Sequence, residues 1–333
     1  MLEVPHSTPY LTSKDKELVA DCFVKDYVGF DSEIDNQIKL KLSKYLSYSH
    51  LEIAPSASLA LLLIFKYLEI KKGDEVILPA INCWSVYNCI AMEGATPIIC
   101  DVRNINDFRL SYDTVVQKIT KDTKVIIVTH MYGVLVEESI IKKLKRNYPT
   151  ISIVEDFSTS LFSKKDFKLG KYSDFAIGSF GSTKPLTGGI GGVLCSNQKI
   201  IDTHYDQYSP KVIAFNIKIS RINQVLLLSQ LDSFETYKEK KRELIEFYSN
   251  YFPIFYSNKE DDLFRVITFT YPKTMIDFLL QKGIVLDIRE SVQPNLIKEL
   301  NIEVDSNAFL FQKYYSIPLN IKAYNIFKEK GLI

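Results

Sequence analysis

The chain has 333 residues, 46% hydrophobic and 24% charged, which is ordinary globular composition with material for two domains or for one large domain with an appendage. Lys and Arg number 41 against 40 Asp and Glu, a net charge of +1, so no basic excess points to nucleic acid or to an anionic membrane. The N-terminus M-L-E-V-P-H-S-T-P-Y has no signal-peptide pattern, the apolar run Leu59 to Phe65 is far too short to span a bilayer, and the five cysteines form no C-x-x-C pair, which together read as a cytoplasmic protein with reduced thiols and no metal site.

Residues 14–25 have the spacing of an amphipathic helix, and so do 33–47, where Ile34, Ile38, Leu42 and Tyr45 recur at helical intervals. A turn of small residues at 53–57 opens a helix near Ser58. Such a start leaves backbone N–H groups close to the surface and suits a phosphate, although a plain serine cap reads the same way. K72-G-D-E-V-I-L-P predicts a turn and a strand ending at Pro79, 84–93 a helix, and G94-A-T-P-I-I-C-D-V a second strand. A strand follows from Val125 to Thr129, with His130 at its end. A helix over 136–147 comes next, then a strand from Ile151 to Val154 with Glu155 and Asp156 at its carboxyl end. These β-branched runs alternate with helices, which predicts a mostly parallel sheet covered on both faces. Ligands in such sheets sit beyond the carboxyl ends of the strands, where His130 and Asp156 lie. Either residue alone is equally well a core histidine or a helix cap.

Residues 173–194, S-D-F-A-I-G-S-F-G-S-T-K-P-L-T-G-G-I-G-G-V-L, hold a single lysine, Lys184, between two apolar strand-like runs and beside Gly188, Gly189, Gly191 and Gly192. Partial desolvation of such an amine favours its neutral, nucleophilic form, which suits Schiff-base chemistry. A solvated lysine on a glycine-rich hairpin has the same spacing. Residues 198–211 read as irregular, 220–248 as one helix with a charged, solvated second half, 262–272 as a strand, 274–282 as a helix and 283–289 as a strand. A short terminal helix follows Y314-Y-S-I-P-L-N. The C-terminal part reads as a smaller α+β unit.

Taken in order, these segments resemble the DegT/DnrJ/StrS family of pyridoxal-phosphate sugar aminotransferases. V4-P-H-S-T-P resembles the family's N-terminal I-P-x-S-x-P arm, and S56-A-S-L-A-L its S-G-T-x-A-L. The run G73-D-E-V-I-L-P, G94-A-T-P and D101-V is similar to G-D-E-V-I-x-P…G-A-x-P…D-V. T120-K-D-T-K-V-I-I-V-T-H-M-Y-G, V154-E-D-F-S-T-S, G178-S-F-G-S-T-K-P-L-T-G-G-I-G-G and F215-N-I-K-I-S each match a family segment in the same sequence order.

The resemblance implies an α/β fold, the fold type I of pyridoxal-phosphate-dependent transferases. It has a large domain over residues 1–245, with residues 1–20 as an arm, built on a mostly parallel seven-stranded sheet flanked by helices. A small α+β domain covers 246–333. The resemblance also implies site roles. Lys184 would be tied covalently to the cofactor and then carry protons. Asp156 would pair with the pyridinium nitrogen and keep the ring an electron sink. Ala57, Ser58, Ser179 and, from a second subunit, Asn216 would hold the phosphate of pyridoxal 5′-phosphate. Thr159 stands where the family has a glutamine near the phenolic oxygen, and Trp84, one place after Cys83, is the nearest ring for stacking. The glutamate of the family's G-E-G-G is Ile190. The expected activity is amino transfer, with glutamate as donor and a nucleotide-linked keto-sugar as acceptor in polysaccharide or glycoconjugate biosynthesis, by a homodimer with shared active sites. The departures at Cys83, Thr159 and Ile190 leave two other readings open: another acceptor, or a non-catalytic cofactor-binding regulator. Related dehydratases replace the lysine with histidine, and Lys184 stands against that chemistry.

Overall fold

The computed structural model describes residues 1–9, 11–160, 169–198, 218–255, 263–300 and 313–333. After strand β1 (Leu2–Val4), helix α1 (Ser13–Val24) starts at a capping box in which Thr12 Oγ1 accepts from the Asp15 N–H and the Asp15 carboxylate accepts from the Thr12 N–H. Helix α2 (Ser32–Leu42) is capped by Asp31 and ends five residues short of the expected 47. It stops because the Ser47 N–H donates to the Leu169 carbonyl and Leu46 bridges to Leu169, which pulls the chain out of the helix.

Strand β2 (His50–Ala54) follows, and the small-residue turn of the sequence reading begins only after it. Then come α3 (Ala57–Tyr67), β3 (Glu75–Pro79), α4 (Trp84–Met92), β4 (Thr96–Cys100), α5 (Tyr112–Val116), β5 (Thr123–Thr129), α6 (Glu138–Asn147), β6 (Ser152–Asp156), β7 (Phe175–Ser179) and β8 (Gly192–Ser196). The strands form one seven-stranded sheet in the order β2-β8-β7-β6-β5-β3-β4. The pairs among β3 to β7 are parallel, and β8 runs antiparallel to both its neighbours. The mostly parallel sheet expected from the buried β-branched runs is therefore present.

Strand alternation sorts the side chains onto two faces. Val76, Leu78, Val125, Ile127, Val154, Ile177 and Leu194 pack into the core that also holds Ala60, Leu61 and Ile64 of α3 and Val86 and Ile90 of α4. Ile77, Ile126, Val128 and Ile153 face the opposite layer. Asp156 is in register with Thr129 and Ile177, which puts it on the α3/α4 face, and Glu155 is in register with Val128 on the other. The adjacent acids of the V-E-D segment thus serve different sides of the sheet.

The expected helix over 220–248 is two helices, α7 (Arg221–Asp232) and α8 (Phe234–Ser249), which break at Ser233. The C-terminal part contributes β9 (Val266–Thr268), α9 (Lys273–Gln281), β10 (Ile284–Leu286), β11 (Arg289–Glu290), α10 (Leu296–Glu299), β12 (Tyr315–Ile317) and α11 (Ile321–Glu329). β9, β12 and β11 form an antiparallel sheet, and β10 pairs in parallel with β1, so the N-terminal arm is tied to the C-terminal unit. The expected domain boundary at 245/246 falls inside α8, and one continuous apolar core runs from Val4 and Val76 through Tyr248 to Phe327.

Candidate active site

The carboxyl end of β7 and the turn after it place Ser179 and Lys184 together. The Lys184 N–H donates to the Gly181 carbonyl at 3.0 Å, and the Gly188 N–H to the Phe180 carbonyl at 2.9 Å, so the segment folds back on itself. A Cβ on Gly181 would stand 3.7 Å from Ser179 Oγ and 3.9 Å from Lys184 Cγ, so the two side chains converge over that glycine. The Lys184 side chain is half-buried and lines a cavity together with Ser7, Thr8, Thr183, Phe264 and Arg265.

Ser179 is paired across the sheet with Gly192. A Cβ on Gly192 would stand 2.8 Å from the Ser56 carbonyl oxygen, and closer still to the Ser56 carbonyl carbon and the Ala57 nitrogen. The absence of a side chain at 192 therefore lets the start of α3 press against the strand beside Ser179. Ser56 Oγ caps the Leu59 N–H at 3.1 Å, and the Ser56 carbonyl takes the Ala60 N–H at 3.1 Å. The amides of Ala57 and Ser58 are the other donors of this first turn, at the positive end of an eleven-residue helix.

Asp156 lies one strand over on the same face, opposite Ile177 and two residues short of the level of Ser179. Strand spacing and rise put the two Cα atoms about 8 Å apart. Asp156 is buried; its Oδ1 accepts from the Ser158 N–H at 2.9 Å, and its Oδ2 has no protein partner among the described residues. Beside it, the Asn82 side chain is fully buried and donates to Thr129 Oγ1 at 3.2 Å.

The opposite face of β6 carries a separate network. His130 is fully buried, and its Nδ1 accepts from the Val136 N–H at 3.1 Å. This leaves the hydrogen on Nε2, which donates to Glu155 Oε2 at 2.9 Å. Glu155 also accepts from the Gly170 N–H at 3.0 Å and from the Ser173 hydroxyl, which in turn takes the Tyr48 hydroxyl at 2.6 Å. Burial, with the Glu155 carboxylate nearby, pushes the Tyr48 phenol well above its ordinary pKa. His130 therefore stands behind the sheet from Asp156, bonded to the acid that precedes it.

The Thr159 hydroxyl is engaged with backbone. It donates to the His130 carbonyl at 3.0 Å and accepts from the Tyr132 N–H at 2.9 Å. Tyr132 has φ of 59°, a left-handed conformation that a bulky side chain adopts only when its surroundings impose it. Its hydroxyl meets that of Tyr314 at 2.9 Å. Trp84 opens α4 half-buried, with its ring edge-on to Tyr87 at 5.4 Å, and Cys83 before it is exposed and accepts from the Ser85 hydroxyl at 3.1 Å. Asn216 lies outside the described residues. Two residues carried no site role in the sequence: Gly192, noted there only as part of the G-G-I-G-G run, and Arg265, a lone charge inside the apolar segment L-F-R-V-I.

A model of the DegT/DnrJ/EryC1/StrS aminotransferase family matches residues 29–324. The chain belongs to this family. Its relatives include the GDP-perosamine synthase of Escherichia coli O157:H7, 31% identical over 266 residues that cover 74% of this chain and 71% of the relative. In three dimensions it is similar to the putative sugar aminotransferase Spr1654 of Streptococcus pneumoniae in its PLP form, with a TM-score of 0.80, 22% identity and coverage of 99% of this chain and 98% of that one. It also resembles E. coli GDP-4-keto-6-deoxy-D-mannose-3-dehydratase with bound hydrated PLP, at a TM-score of 0.79, 16% identity and 99% coverage of both chains. The second likeness shows that this fold alone does not choose between amino transfer and dehydration.

As a member of the aminotransferase family, the chain uses pyridoxal 5′-phosphate, and the residues present fit that group. The free Oδ2 of buried Asp156 offers an acceptor to a ring nitrogen. The cradle kept open by Gly192, between Ser179 and the α3 start, offers donors to a phosphate. Lys184, the only lysine of the 173–194 stretch, packs over Gly181 as Ser179 does. Among the described residues no helix is long and apolar enough to cross a membrane.

Proposed function

We propose that this aminotransferase moves an amino group from glutamate to a keto-sugar carried on a nucleotide, in the cytoplasm, for polysaccharide or glycoconjugate biosynthesis. The observation that carries the reading is that Lys184 and Ser179 both lie over Gly181 in the turn after β7, with the Asp156 carboxylate one strand away on the same face as Ser179. The curated relatives support the acceptor class: a GDP-perosamine synthase, and in Helicobacter pylori a UDP-4-amino-4,6-dideoxy-N-acetyl-beta-L-altrosamine transaminase, 23% identical over 318 residues.

When bound, pyridoxal phosphate supplies an aldehyde for amine capture and an electron sink. The protein's part is binding, orientation and proton movement. Lys184 Nζ would be the covalent anchor for the cofactor and would act as the base that takes up and hands back the proton given up by the donor's α-carbon. Asp156 Oδ2 would accept from the ring nitrogen and keep it protonated. Ser179, Ser58 and the amides at the start of α3 bind the phosphate. Thr159 acts on this reading by fixing the 130–132 turn, because its hydroxyl proton is committed to the His130 carbonyl. Trp84, at the start of α4, would be the ring that stacks on the cofactor. On this reading Asn216, outside the described residues, is the residue a second subunit would supply to the phosphate, and the exposed apolar side chains Phe23, Val24, Tyr27 and Val28 would be covered by that copy.

The test is to incubate the purified protein with glutamate, pyridoxal phosphate and GDP-4-keto-6-deoxymannose, then with the UDP- and dTDP-linked 4-keto-sugars, and to follow the products by mass spectrometry. An amino sugar from at least one of them is expected. Conversion of glutamate without amination of any nucleotide sugar would reject the acceptor class. Lys184→Ala should abolish the visible absorbance of covalently held cofactor; an unaltered band in that variant would remove the lysine from the anchor role.

A further inference from the structure

Along the carboxyl edge of the sheet, the residues that fit pyridoxal phosphate lie in strand order. The phosphate cradle stands at β8 and β7, and Asp156 ends β6. The next strand is β5, whose last residue is Thr129. Thr129 is in register with Asp156 on the α3/α4 face, so adjacent-strand spacing puts the two Cα atoms about 4.8 Å apart. The covalent structure of the cofactor then decides what meets Thr129. Its phosphate arm and its phenolic oxygen are carried on the two ring carbons that flank the aldehyde-bearing carbon. They therefore lie on opposite sides of the line from that carbon to the ring nitrogen. With the nitrogen at Asp156 and the phosphate toward β7 and β8, the phenolic oxygen faces β5.

An ionised phenolic oxygen calls for a hydrogen-bond donor. Two hydroxyls near this end of β5 are already spent, because Thr159 and Ser160 both donate to the His130 carbonyl. Thr129 differs. Its Oγ1 accepts from Asn82 Nδ2 at 3.2 Å. The Asn82 amide cannot be turned over, because its Oδ1 accepts from the Cys83 N–H at 2.8 Å. The bond from Asn82 thus fills a lone pair of Thr129 and leaves its hydroxyl proton with no acceptor among the described residues. Exposure separates the two side chains: Asn82 stands at 0% and Thr129 at 7%, so the threonine is the one a cofactor can reach. We propose that Thr129 donates to the phenolic oxygen of pyridoxal phosphate, the contact that Thr159 is not free to make, and that Asn82 is the positioning residue that keeps the Thr129 proton available. The inference rests on the cofactor seating of the proposed function, with the ring nitrogen at Asp156 and the phosphate at the start of α3.

The first readout is the pH at which the visible band of the covalently held cofactor changes. That change is the loss of a proton held beside the phenolic oxygen, and a donor to the oxygen favours the form that has lost it. Thr129→Val should therefore move the transition up by about one pH unit or more, the size of a hydrogen bond to a charged group. Thr129→Ser should stay near wild type. Asn82→Asp keeps the bond from the Cys83 N–H and turns the donor to Thr129 into an acceptor that claims the threonine proton, so its transition should also move up. Equilibrium dialysis separates the contact from a general disturbance of the site. Pyridoxal phosphate should bind Thr129→Val about tenfold more weakly than wild type. The analogue 3-deoxypyridoxal phosphate, which lacks the oxygen, should bind both alike. An unmoved transition in Thr129→Val would overturn the proposal. So would equal losses for cofactor and analogue, or a shift in Thr159→Val or Ser158→Ala that Thr129→Val lacks. If Thr129→Val fails to fold, Asn82→Asp against wild type carries both measurements. A wild-type protein with no visible band would reject the Lys184 anchor, and the dialysis pair would still judge Thr129.

Discussion

Replacing Gly192 with alanine tests whether the start of α3 and Ser179 form one phosphate cradle. The added Cβ would meet the Ser56 carbonyl oxygen at 2.8 Å, with the Ser56 carbonyl carbon and Ala57 nitrogen nearer still. All three are backbone atoms and cannot swing aside as a flexible side chain can. Restoring ordinary contact of at least 3.4 Å moves the helix start away from Ser179 by on the order of 1 Å, and overpacking of this kind costs about 1–3 kcal/mol. The cofactor should suffer more than the fold. Hydrogen bonds to a charged group contribute about 1.5–3 kcal/mol each, so misplacing one or two phosphate donors weakens retention roughly tenfold to several hundredfold. Equilibrium dialysis of pyridoxal phosphate measures the second effect, and a thermal melt of the cofactor-free protein the first. Gly73→Ala is the control: it has φ of 98°, no atom within 4 Å of its Cβ position and a place in the turn before β3. It should cost stability through backbone strain and leave cofactor affinity alone. Unchanged retention in Gly192→Ala, or an equal loss in Gly73→Ala, would refute the cradle.

Asp156→Asn keeps an acceptor for the Ser158 N–H and removes the charge, so turnover should fall about a hundredfold or more with little change in melting temperature; a steady-state assay showing wild-type kcat would take Asp156 off the ring nitrogen. Thr159→Val orphans the buried Tyr132 N–H, while the His130 carbonyl keeps the Ser160 hydroxyl as a donor; stability should fall by about 1–3 kcal/mol in urea titration, and Thr159→Ser should recover most of it. His6 is held down to about 4 by burial and by Arg265 and Arg289, against an opposing pull from Asp287. The unfolded chain therefore binds a proton near pH 6.5 that the folded chain refuses until about 4. Stability is full above that window and falls as pH drops through it, on the order of 1–2 kcal/mol. Melts between pH 7 and pH 4.5 should show a shallower decline in His6→Asn, and parallel curves would count against this assignment.

Much of the fold could be read from the chain because buried parallel strands announce themselves. The runs ending at Pro79, Thr129 and Asp156 are β-branched and bounded by turn residues, and each is a strand in the sheet. What escaped was set by partners distant in sequence. H50-L-E-I-A alternates, with Leu51 and Ile53 buried, yet it is a strand because β8, some 140 residues on, pairs with it from His50↔Ser196 to Ala54↔Gly192. The 220–248 segment has unbroken helical spacing, and the break at Ser233 is visible only in the backbone.

The site divides along the same line. Lys184, Asp156, Ser179 and the S-A-S start of α3 could be nominated because the resemblance to the family names them, and each stands at the end of a strand or the start of a helix. The side chains that hold those ends in place were not, because a strand shows its residues in alternation and a sequence does not say which face is occupied. V-E-D presents two acids in a row; one keeps an oxygen without a partner among the described residues on the α3/α4 face, and the other is consumed by His130, Ser173 and Gly170 behind the sheet. Thr159 shows the same limit from the other direction. Its position suggests a donor toward the cofactor, whereas its hydroxyl bridges the His130 carbonyl and the Tyr132 N–H and so supports a left-handed tyrosine. A hydroxyl has a single proton, and that proton is already placed. A group that donates to the phenolic oxygen must come from another residue, or the 130–132 turn must give up a bond to supply one.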